Sequence, residues 1–225
     1  MWINVRLSLP YNDFASYTFR QMNRLFPDRR SLKFTDLRPS FEQAVERTAY
    51  CFRHVSLPGY TLENEPALNH LHSDQYAVFL WFLSNAVWTQ TQHEAASNKI
   101  FYTNKTLHGF NCMYDTKLPD IFLLLHTTGT VLGKASYSNY FVAAHGCTVG
   151  AHQDRYPLIG ERVAMMPGSS IIGECRIGDR VSVGIGATIY RQDILDDSVV
   201  YKDAQGQTNI KSSSAPWAEK VFMTS

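Results

Sequence analysis

The feature that most constrains this chain is a six-residue repeat in its second half. Every sixth residue of one stretch is apolar, in the series Ile159, Met165, Ile171, Ile177, Val183 and Ile189. A period of six fits neither the 3.6 residues of a helical turn nor the two-residue alternation of a simple strand. It suits short straight strands joined by tight corners, with each coil stacked on the previous one. The repeat therefore predicts a parallel β-helix.

The same spacing occurs earlier in the chain, and one interval breaks it. It continues the apolar series through Val131, Tyr137, Ala143 and Val149. From Val149 to Ile159 the interval is ten residues, so four residues are inserted, within GAHQDRYPL. A polar insertion into a regular coil must loop outward, and such loops often carry functional residues.

Glycine divides the chain into two parts, because 11 of the 13 glycines lie after residue 110. Small residues at Gly160, Gly178 and Gly184 suit corners that need unusual dihedrals or close approach.

The Gly-poor front half favours helices, one of them starting at Ser40 with Gln43 at a capping-box spacing. The expected helices cover residues 13–26, 40–55, 73–89 and 94–107. The apolar stretch 76–88 is too short to span a membrane and indicates a buried helix.

These patterns predict three segments. We expect a helical N-terminal domain over residues 1–110, a β-helix over residues 111–195 and a C-terminal tail over residues 196–225.

The formal net charge of +1 provides no basic stripe or polybasic patch, so neither nucleic acid nor a membrane is an expected partner. MWINVRLSLP lacks the apolar region of a secretory signal, and the four cysteines form no CxxC pair, so we expect reduced thiols and a cytoplasmic protein.

Two motifs in fixed order resemble one family, the hexapeptide-repeat acyltransferases. HTTGTVLG, residues 126–133, is similar to the family's histidine turn. CTVGAHQDRYPLIGERVAMMPGS, residues 147–169, is similar to its glycine turn, extended loop with Arg-X-Pro, and next coil. The resemblance is to the serine acetyltransferase branch, over about residues 76–195. It implies an α+β fold, in which a helical domain precedes a left-handed parallel β-helix, and acetyl-CoA as co-substrate without a metal.

His126 is the candidate general base. It follows an apolar run and precedes a Thr-Thr-Gly turn. In the family the matching residue deprotonates an acceptor hydroxyl, a task that suits imidazole because its pKa lies near the working pH. From the residues alone, the alternative is a corner histidine that only hydrogen-bonds a neighbouring coil.

Two positions next to this base depart from the family pattern. The acidic residue that orients the base is matched by Asn111, which can hold a tautomer but cannot stabilise the imidazolium. Asp115 and Asp120 are candidates to replace it. The family's acidic residue before the base is matched by Leu125. This second change removes a partner for the ammonium group of an amino acid.

The resemblance also implies where the two substrates bind. Arg155 and Tyr156 match the acceptor-binding loop, and His145, one coil after His126, is a further candidate for that role. Because Leu125 offers no charge to pair with an ammonium group, we expect the acceptor to be a sugar hydroxyl of a bacterial surface polysaccharide or a nucleotide sugar, with L-serine as the alternative.

Acetyl-CoA is expected in a groove between adjacent β-helices of a homotrimer or a dimer of trimers. Gly150, Ala151, Pro167 and Ile185 match family positions in that groove. Arg191 is a candidate partner for a CoA phosphate.

Two other functions stay open. A metal enzyme similar to the γ-class carbonic anhydrases needs two histidines five residues apart, whereas His145 and His152 are seven apart. A non-catalytic scaffold needs neither the histidine turn nor the polar insertion. An O-acetyltransferase that transfers the acetyl group directly, without an acyl-enzyme, is therefore the expected function.

Overall fold

The front half of the protein is helical in a computed structural model that describes residues 5–223. Its helices are α1 (Tyr11–Leu25), α2 (Phe34–Phe52), α3 (Ser73–Thr91) and α4 (Glu94–His108). A small sheet joins β1 (Arg6–Leu7), β2 (Thr61–Leu62) and β3 (Glu65–Leu68). The number and order of the helices agree with the sequence prediction. Residues 1–4 and 224–225, at the ends of the proposed first and last segments, lie outside the described range.

The start of α2 corrects the predicted capping box at Ser40. The helix begins at Phe34 and includes Pro39 in its second turn. The Ser40 hydroxyl instead donates to the side-chain oxygen of Gln90 on α3 at 2.7 Å. The added turn is stabilised by Phe34, whose ring lies 5.4 Å from that of Phe41, centroid to centroid. Aromatic packing therefore overrides a local capping signal.

Helix α3 is the central element of the front half. It packs against α2 and α4, and also against the first strand of the β-helix. Because 13 of its 19 residues are buried, its sequence shows no continuous polar face. This confirms the buried helix that the apolar stretch predicts. Within residues 5–223, no helix has the length and apolarity needed to cross a membrane.

The second half is a parallel β-helix with three faces. The first face contains β4 (Phe122–Leu125), β7 (Phe141–Ala144), β10 (Ala164–Met165), β13 (Ser182–Val183) and β15 (Ser198–Lys202). The second contains β5 (Val131–Leu132), β8 (Thr148–Gly150), β11 (Ser170–Ile172) and β14 (Thr188–Tyr190). The third contains β6 (Ser136–Tyr137), β9 (Leu158–Ile159) and β12 (Arg176–Ile177). Neighbouring strands within these faces run parallel, as the repeat predicts.

The six-residue series marks the inward side chains with one exception. The members from Tyr137 to Ile189 are buried. Val131 is 36% exposed, because Leu132 is the residue that pairs with Val149 and points into the core. Placing Val131 in the apolar series was therefore wrong by one residue. The shift arises because the buried residues Leu132 and Tyr137 are five positions apart rather than six.

A separate irregularity places two extra residues between β4 and β5. Leu125 pairs with Ala144, and Val131 pairs with Thr148. The interval between these two pairs is therefore six residues in the first coil and four residues in the second. The two additional residues must bulge outward, and His126 directly follows Leu125 at this point.

The predicted insertion before Ile159 forms a short outward loop, residues 151–157, called here the inserted loop. His152 and Arg155 exchange two backbone hydrogen bonds of 3.1 Å, which close it. Most of its side chains are exposed, as expected for a polar insertion into a stacked coil.

Close approach between coils explains the glycines of the repeat. A Cβ on Gly178 would lie 2.2 Å from Asp196 Oδ1, and one on Gly160 would lie 2.8 Å from the carbonyl group of Gly178. Neither glycine has a positive φ. Space, rather than an unusual backbone angle, therefore requires glycine at these two positions.

The last described segment returns to the helical half. β15 extends the first face, and β16 (Thr208–Ser212) pairs antiparallel with β15. A 3-10 helix (Trp217–Lys220) then leads to Phe222, which bridges to Val55 after α2. One apolar core runs from Phe14 to Phe222 through both halves. The division at residues 110 and 195 is kept as a proposed domain organisation.

Candidate active site at the histidine turn

His126 lies in the bulge between β4 and β5, residues 126–130, called here the histidine turn. Its backbone has a φ of +56°, in the left-handed region, and its side chain is exposed. For a residue other than glycine this conformation costs about 1–2 kcal/mol. The Thr128 N–H donates to the His126 carbonyl at 2.5 Å, which tightens the turn. The imidazole is therefore held out from the coil instead of being packed in it.

The histidine turn rests on the C-terminus of α4. Gly109 ends that helix with a φ of +64°, and its carbonyl accepts a hydrogen bond of 3.2 Å from the Gly129 N–H. The Thr127 hydroxyl donates to the His108 carbonyl at 2.9 Å. A Cβ on Gly109 would lie 3.2 Å from the Gly129 nitrogen. The helical half thus fixes the position of the turn through backbone contacts.

A buried carboxylate contacts the same turn from α3. Asp74 is 5% exposed, and its Oδ2 accepts a hydrogen bond of 3.0 Å from the His126 N–H. A hydrogen bond to a charged group contributes about 1.5–3 kcal/mol, which is comparable to the strain at His126. Its place in the first turn of α3 also favours a negative charge. Sequence reasoning missed Asp74 because it lies 52 residues before His126 and belongs to no recognised motif.

His108 lies behind the turn as a buried, neutral imidazole. Its Nδ1 is 2.7 Å from Asn104 Oδ1, while the Asn104 amide nitrogen donates to the Ala77 carbonyl. Asn104 Oδ1 must therefore accept, which assigns the proton to His108 Nδ1. Burial lowers the pKa of His108 to about 4, and the Asp74 carboxylate opposes this shift. His108 therefore carries no charge at neutral pH.

A second exposed imidazole stands beside His126. The ring centroids of His126 and His145 are 6.2 Å apart, with their planes at 57°. His145 occupies the next coil at the first corner, where the chain passes from the first face to the second. The structure thus brings together two of the predicted site residues, although the role of His145 in acceptor binding stays a prediction.

Asn111 lies at the beginning of the second face. Its N–H donates to the Thr130 carbonyl, and its own carbonyl accepts from the Leu132 N–H, both at 2.9 Å. It forms a parallel bridge with Val131, whose side chain points outward. Across the described part of the chain, no hydrogen bond joins the Asn111 side chain to His126. Its orienting role stays a prediction.

The two alternative acids are engaged elsewhere. Asp115 Oδ2 lies 3.1 Å from Lys134 Nζ, and Asp120 Oδ1 lies 3.9 Å from an Arg47 guanidinium nitrogen. Neither carboxylate contacts His126. Asp74 is therefore the acidic side chain that contacts the histidine turn within residues 5–223.

The inserted loop folds back onto its own chain. Arg155 donates to Glu174 at 2.6 Å, and Tyr156 is 42% exposed. The His152 ring lies 5.4 Å from that of Tyr190, two coils further on. The two predicted acceptor-binding residues are thus solvent-exposed, and the arginine already has a carboxylate partner.

Two of the predicted CoA-binding residues share the first corner with the histidines. The Gly168 N–H donates to the His145 carbonyl at 3.0 Å, and the Gly186 N–H donates to the Pro167 carbonyl at 2.9 Å. These contacts place Pro167 one coil below His145, and Ile185 one coil below Pro167. Ile185 is 72% exposed and offers an apolar surface at this corner.

The remaining predicted CoA-binding residues lie at the second corner, between the second and third faces. The Gly150 carbonyl accepts from Gly173, and a Cβ on Gly150 would lie 3.3 Å from Ile172 Cδ1. Ala151 and Arg191 follow β8 and β14 there, and both are exposed. Because the second-face strands separate the two corners, one chain does not bring all five residues together.

The cysteines are unsuited to carry an acyl group. All four are buried and free. Burial raises the pKa of Cys175 to about 11 and those of Cys51 and Cys112 to about 12. A thiol in that range supplies almost no thiolate at neutral pH. Residues 5–223 contain no group of three His, Cys, Asp or Glu side chains placed to hold an ion.

Known proteins resemble this chain in structure rather than in sequence. No protein-family model and no curated protein matches the sequence. A solved serine acetyltransferase in complex with CoA aligns with a TM-score of 0.67, covering 86% of this chain and 82% of its own, at 14% identity. The fold is that of the serine acetyltransferases. The helical domain followed by a left-handed parallel β-helix, expected from the sequence, is thereby confirmed.

Two further solved structures agree. Serine acetyltransferase from Vibrio cholerae has a TM-score of 0.68 at 18% identity, covering 88% of this chain and 80% of its own. The soybean apoenzyme has a TM-score of 0.64 at 20% identity, covering 88% and 83%. These similarities extend over the helical half and the β-helix together.

Proposed function

We propose that this protein is an acetyl-CoA-dependent O-acetyltransferase with His126 as its general base. The observation that supports this most strongly is the position of the exposed imidazole, on a two-residue bulge at the first corner of a serine acetyltransferase fold. One of the similar structures is a complex with CoA, which supports acetyl-CoA as the donor here.

The chemistry required of the protein is limited, because a thioester carbonyl is already electrophilic. Neutral His126 takes the proton of the acceptor hydroxyl as its oxygen attacks the thioester carbon. The tetrahedral oxyanion then collapses, the carbon–sulfur bond breaks, and the imidazolium returns its proton to the CoA thiolate. A positioned base contributes about 10²- to 10⁴-fold to such a step. Holding both substrates together supplies the remainder.

A sugar or nucleotide-sugar hydroxyl is the acceptor that we propose. Leu125, beside the base, provides no anionic partner for an ammonium group. An amino acid brings an ammonium and a carboxylate, each of which needs a partner when it leaves water. A sugar brings hydroxyls, which Tyr156, His145 and backbone groups can satisfy by hydrogen bonds.

L-serine is a second candidate acceptor. The observation in its favour is the fold itself, since a solved soybean serine acetyltransferase complexed with serine covers 88% of this chain with a TM-score of 0.64. In that case Glu174 and Arg155 would have to exchange their mutual contact for contacts with the amino acid.

We also propose that the protein is a homotrimer or a dimer of trimers. Pro167 and Ile185 at the first corner, and Gly150, Ala151 and Arg191 at the second, can line one groove when two chains lie side by side. The exposed apolar surface of Ile185 supports such a contact, because apolar surface is stabilised by burial.

A panel of acceptors tests the function. Purified protein is mixed with acetyl-CoA and with L-serine, free sugars or nucleotide sugars, and free CoA thiol is measured. We expect saturable thiol release with a sugar-type acceptor, and its loss in His126→Ala. His70→Ala, which removes a histidine of the helical half, is the control and should keep activity. Absence of transfer to every hydroxyl acceptor, or an active His126→Ala, would overturn the proposal.

A further inference from the structure

We infer that Asp74 is a positioning residue that holds the histidine turn in its reactive shape. The inference rests on the proposed function, in which His126 acts as the base. It assigns a role to a helical-half residue that lies outside both of the motifs typical of the fold.

The position of His126 on the outer edge of the first coil creates a need for this contact. In the coils below, corner N–H groups donate to carbonyls of the preceding coil, as Gly146 does to Thr128 and Gly168 does to His145. No coil precedes the histidine turn, so the corner N–H of Gly129 donates to the Gly109 carbonyl at the end of α4, and the N–H of His126 faces the helical half. Asp74 Oδ2 accepts from it at 3.0 Å. The side chain that satisfies this N–H also fixes the backbone that carries the imidazole.

The carboxylate is costly to bury, so its placement is informative. Asp74 is 5% exposed, and its other oxygen has only a 3.5 Å contact with the Ser73 hydroxyl. A neutral side chain in the first turn of a helix would avoid the free-energy cost of burying an isolated charge, which is large. The Asp74 carboxylate thus provides a negative charge and a strong hydrogen-bond acceptor beside His126, the residue that becomes an imidazolium in the proposed reaction.

The contact compensates for a change elsewhere in the site. At position 111 an amide replaces the family's acidic residue, and Asp115 and Asp120 pair with Lys134 and Arg47. The ring of His126 thus has no acidic partner within residues 5–223. Asp74 acts on the backbone of the same residue instead, which keeps the imidazole oriented without a contact to the ring.

Kinetics of three variants test this role. In Asp74→Ala, which removes the acceptor, we expect kcat to fall by about ten- to a hundredfold, with KM for acetyl-CoA within twofold, because a small misplacement of a catalytic group reduces the rate without weakening binding. Asp74→Asn keeps an oxygen that can accept from the N–H, so its kcat should stay within about fivefold of the wild type. Asp36→Ala, which removes an acid from the first turn of α2, is the matched control.

Hydrogen exchange at the His126 amide provides a readout that does not depend on activity. We expect slow exchange in the wild type and Asp74→Asn, and fast exchange in folded Asp74→Ala. A folded Asp74→Ala with wild-type kcat and a protected amide would overturn the inference, as would equal losses of kcat in the alanine and asparagine variants. If no acceptor is acetylated by the wild type, the proposed function fails and the catalytic part of the inference fails with it, while amide protection still decides whether Asp74 holds the turn.

Discussion

Arg155 and Glu174 form an ion pair of 2.6 Å between the inserted loop and the coil below it. The two side chains are 65% and 62% exposed, and an ion pair in that setting contributes at most about 1 kcal/mol. The contact therefore keeps Arg155 near the loop but is weak, so an anionic acceptor can replace Glu174 as the partner of the arginine.

Releasing Arg155 should strengthen acceptor binding. In Glu174→Gln we expect KM for a phosphate-bearing acceptor to fall by up to about fivefold, the equivalent of roughly 1 kcal/mol, with kcat unchanged. Arg155→Ala should raise the same KM. Steady-state kinetics with a nucleotide sugar and with an uncharged sugar measures both effects. Unchanged KM values in the two variants would show that Arg155 only stabilises its loop.

Removal of the proposed base should separate chemistry from binding. His126→Ala is expected to lower kcat by about 10²- to 10⁴-fold and to leave the Kd for acetyl-CoA within twofold. Calorimetry gives the Kd, and thiol release gives kcat. Asn111→Asp is a companion variant. If residue 111 orients the imidazole, a carboxylate there should preserve or raise kcat, and a strong loss would argue against that role.

Stability should decrease in mild acid because of His108. Its pKa is about 4 in the folded protein and near 6.5 in the unfolded chain, so the unfolded chain binds the proton first. The contribution of neutral His108 is complete above pH 6.5 and is lost as pH falls from 6.5 towards 4. The decrease should approach about 3 kcal/mol, at roughly 1.4 kcal/mol per pKa unit.

Urea unfolding at several pH values, compared with His108→Gln, measures this effect. The difference between the two proteins isolates His108 from the other histidines. A wild-type pH dependence identical to that of His108→Gln would contradict the assignment of a buried neutral imidazole.

The contact between Gly178 and Asp196 should make Gly178→Ala destabilising. A Cβ would lie 2.5 Å from the Asp196 nitrogen, so the two coils must move apart, at a cost of about 1–3 kcal/mol. Gly206→Ala is the control, because its φ is +79° and no atom lies within 4 Å. It should lose only about 1 kcal/mol from backbone strain. Urea unfolding at one pH compares the two variants, and equal losses would show that coil spacing tolerates a methyl group.

An apolar residue at the first corner should contribute to CoA binding between chains. Ile185→Asp is expected to raise KM for acetyl-CoA by about tenfold, the equivalent of roughly 1.4 kcal/mol for one buried aliphatic side chain. Leu71→Asp, at a 77% exposed position in the helical half, is the control. Light scattering of the wild type at micromolar concentration should give the mass of a trimer or hexamer. A monomeric mass would remove the proposed groove.

The fold could be predicted because its signals are local. Coil length and inward side chains repeat along the sequence, so the series from Ile159 to Ile189 is visible without any knowledge of contacts. The wrong assignment of Val131 comes from the five-residue interval between Leu132 and Tyr137, which shifts the register by one residue without changing the composition. The capping box at Ser40 fails because Phe34 packs against Phe41, and side-chain packing of that kind is not encoded in a four-residue motif.

The candidate site could be predicted only in part. The sequence makes His126 a candidate because its turn has a recognisable pattern, and its catalytic role stays a prediction. Asp74 could not be found in the same way, since its contact with His126 depends on how α3 lies against the first coil. The pairing of Arg155 with Glu174 joins adjacent coils through exposed side chains, which no periodicity specifies.

The junction between the two halves has a consequence for how the protein can be divided. A β-helix ends in strands with unpaired edges, which promote aggregation unless another element covers them. On the outer edge of β4 the N–H of Phe122 donates to Cys51 Sγ at 3.4 Å, and the N–H of His126 donates to Asp74. The Trp81 and Phe82 rings lie 5.5 and 5.4 Å from that of Phe122. The helical half therefore covers the edge at which the solenoid could otherwise extend end to end, and the proposed base lies where the two halves meet.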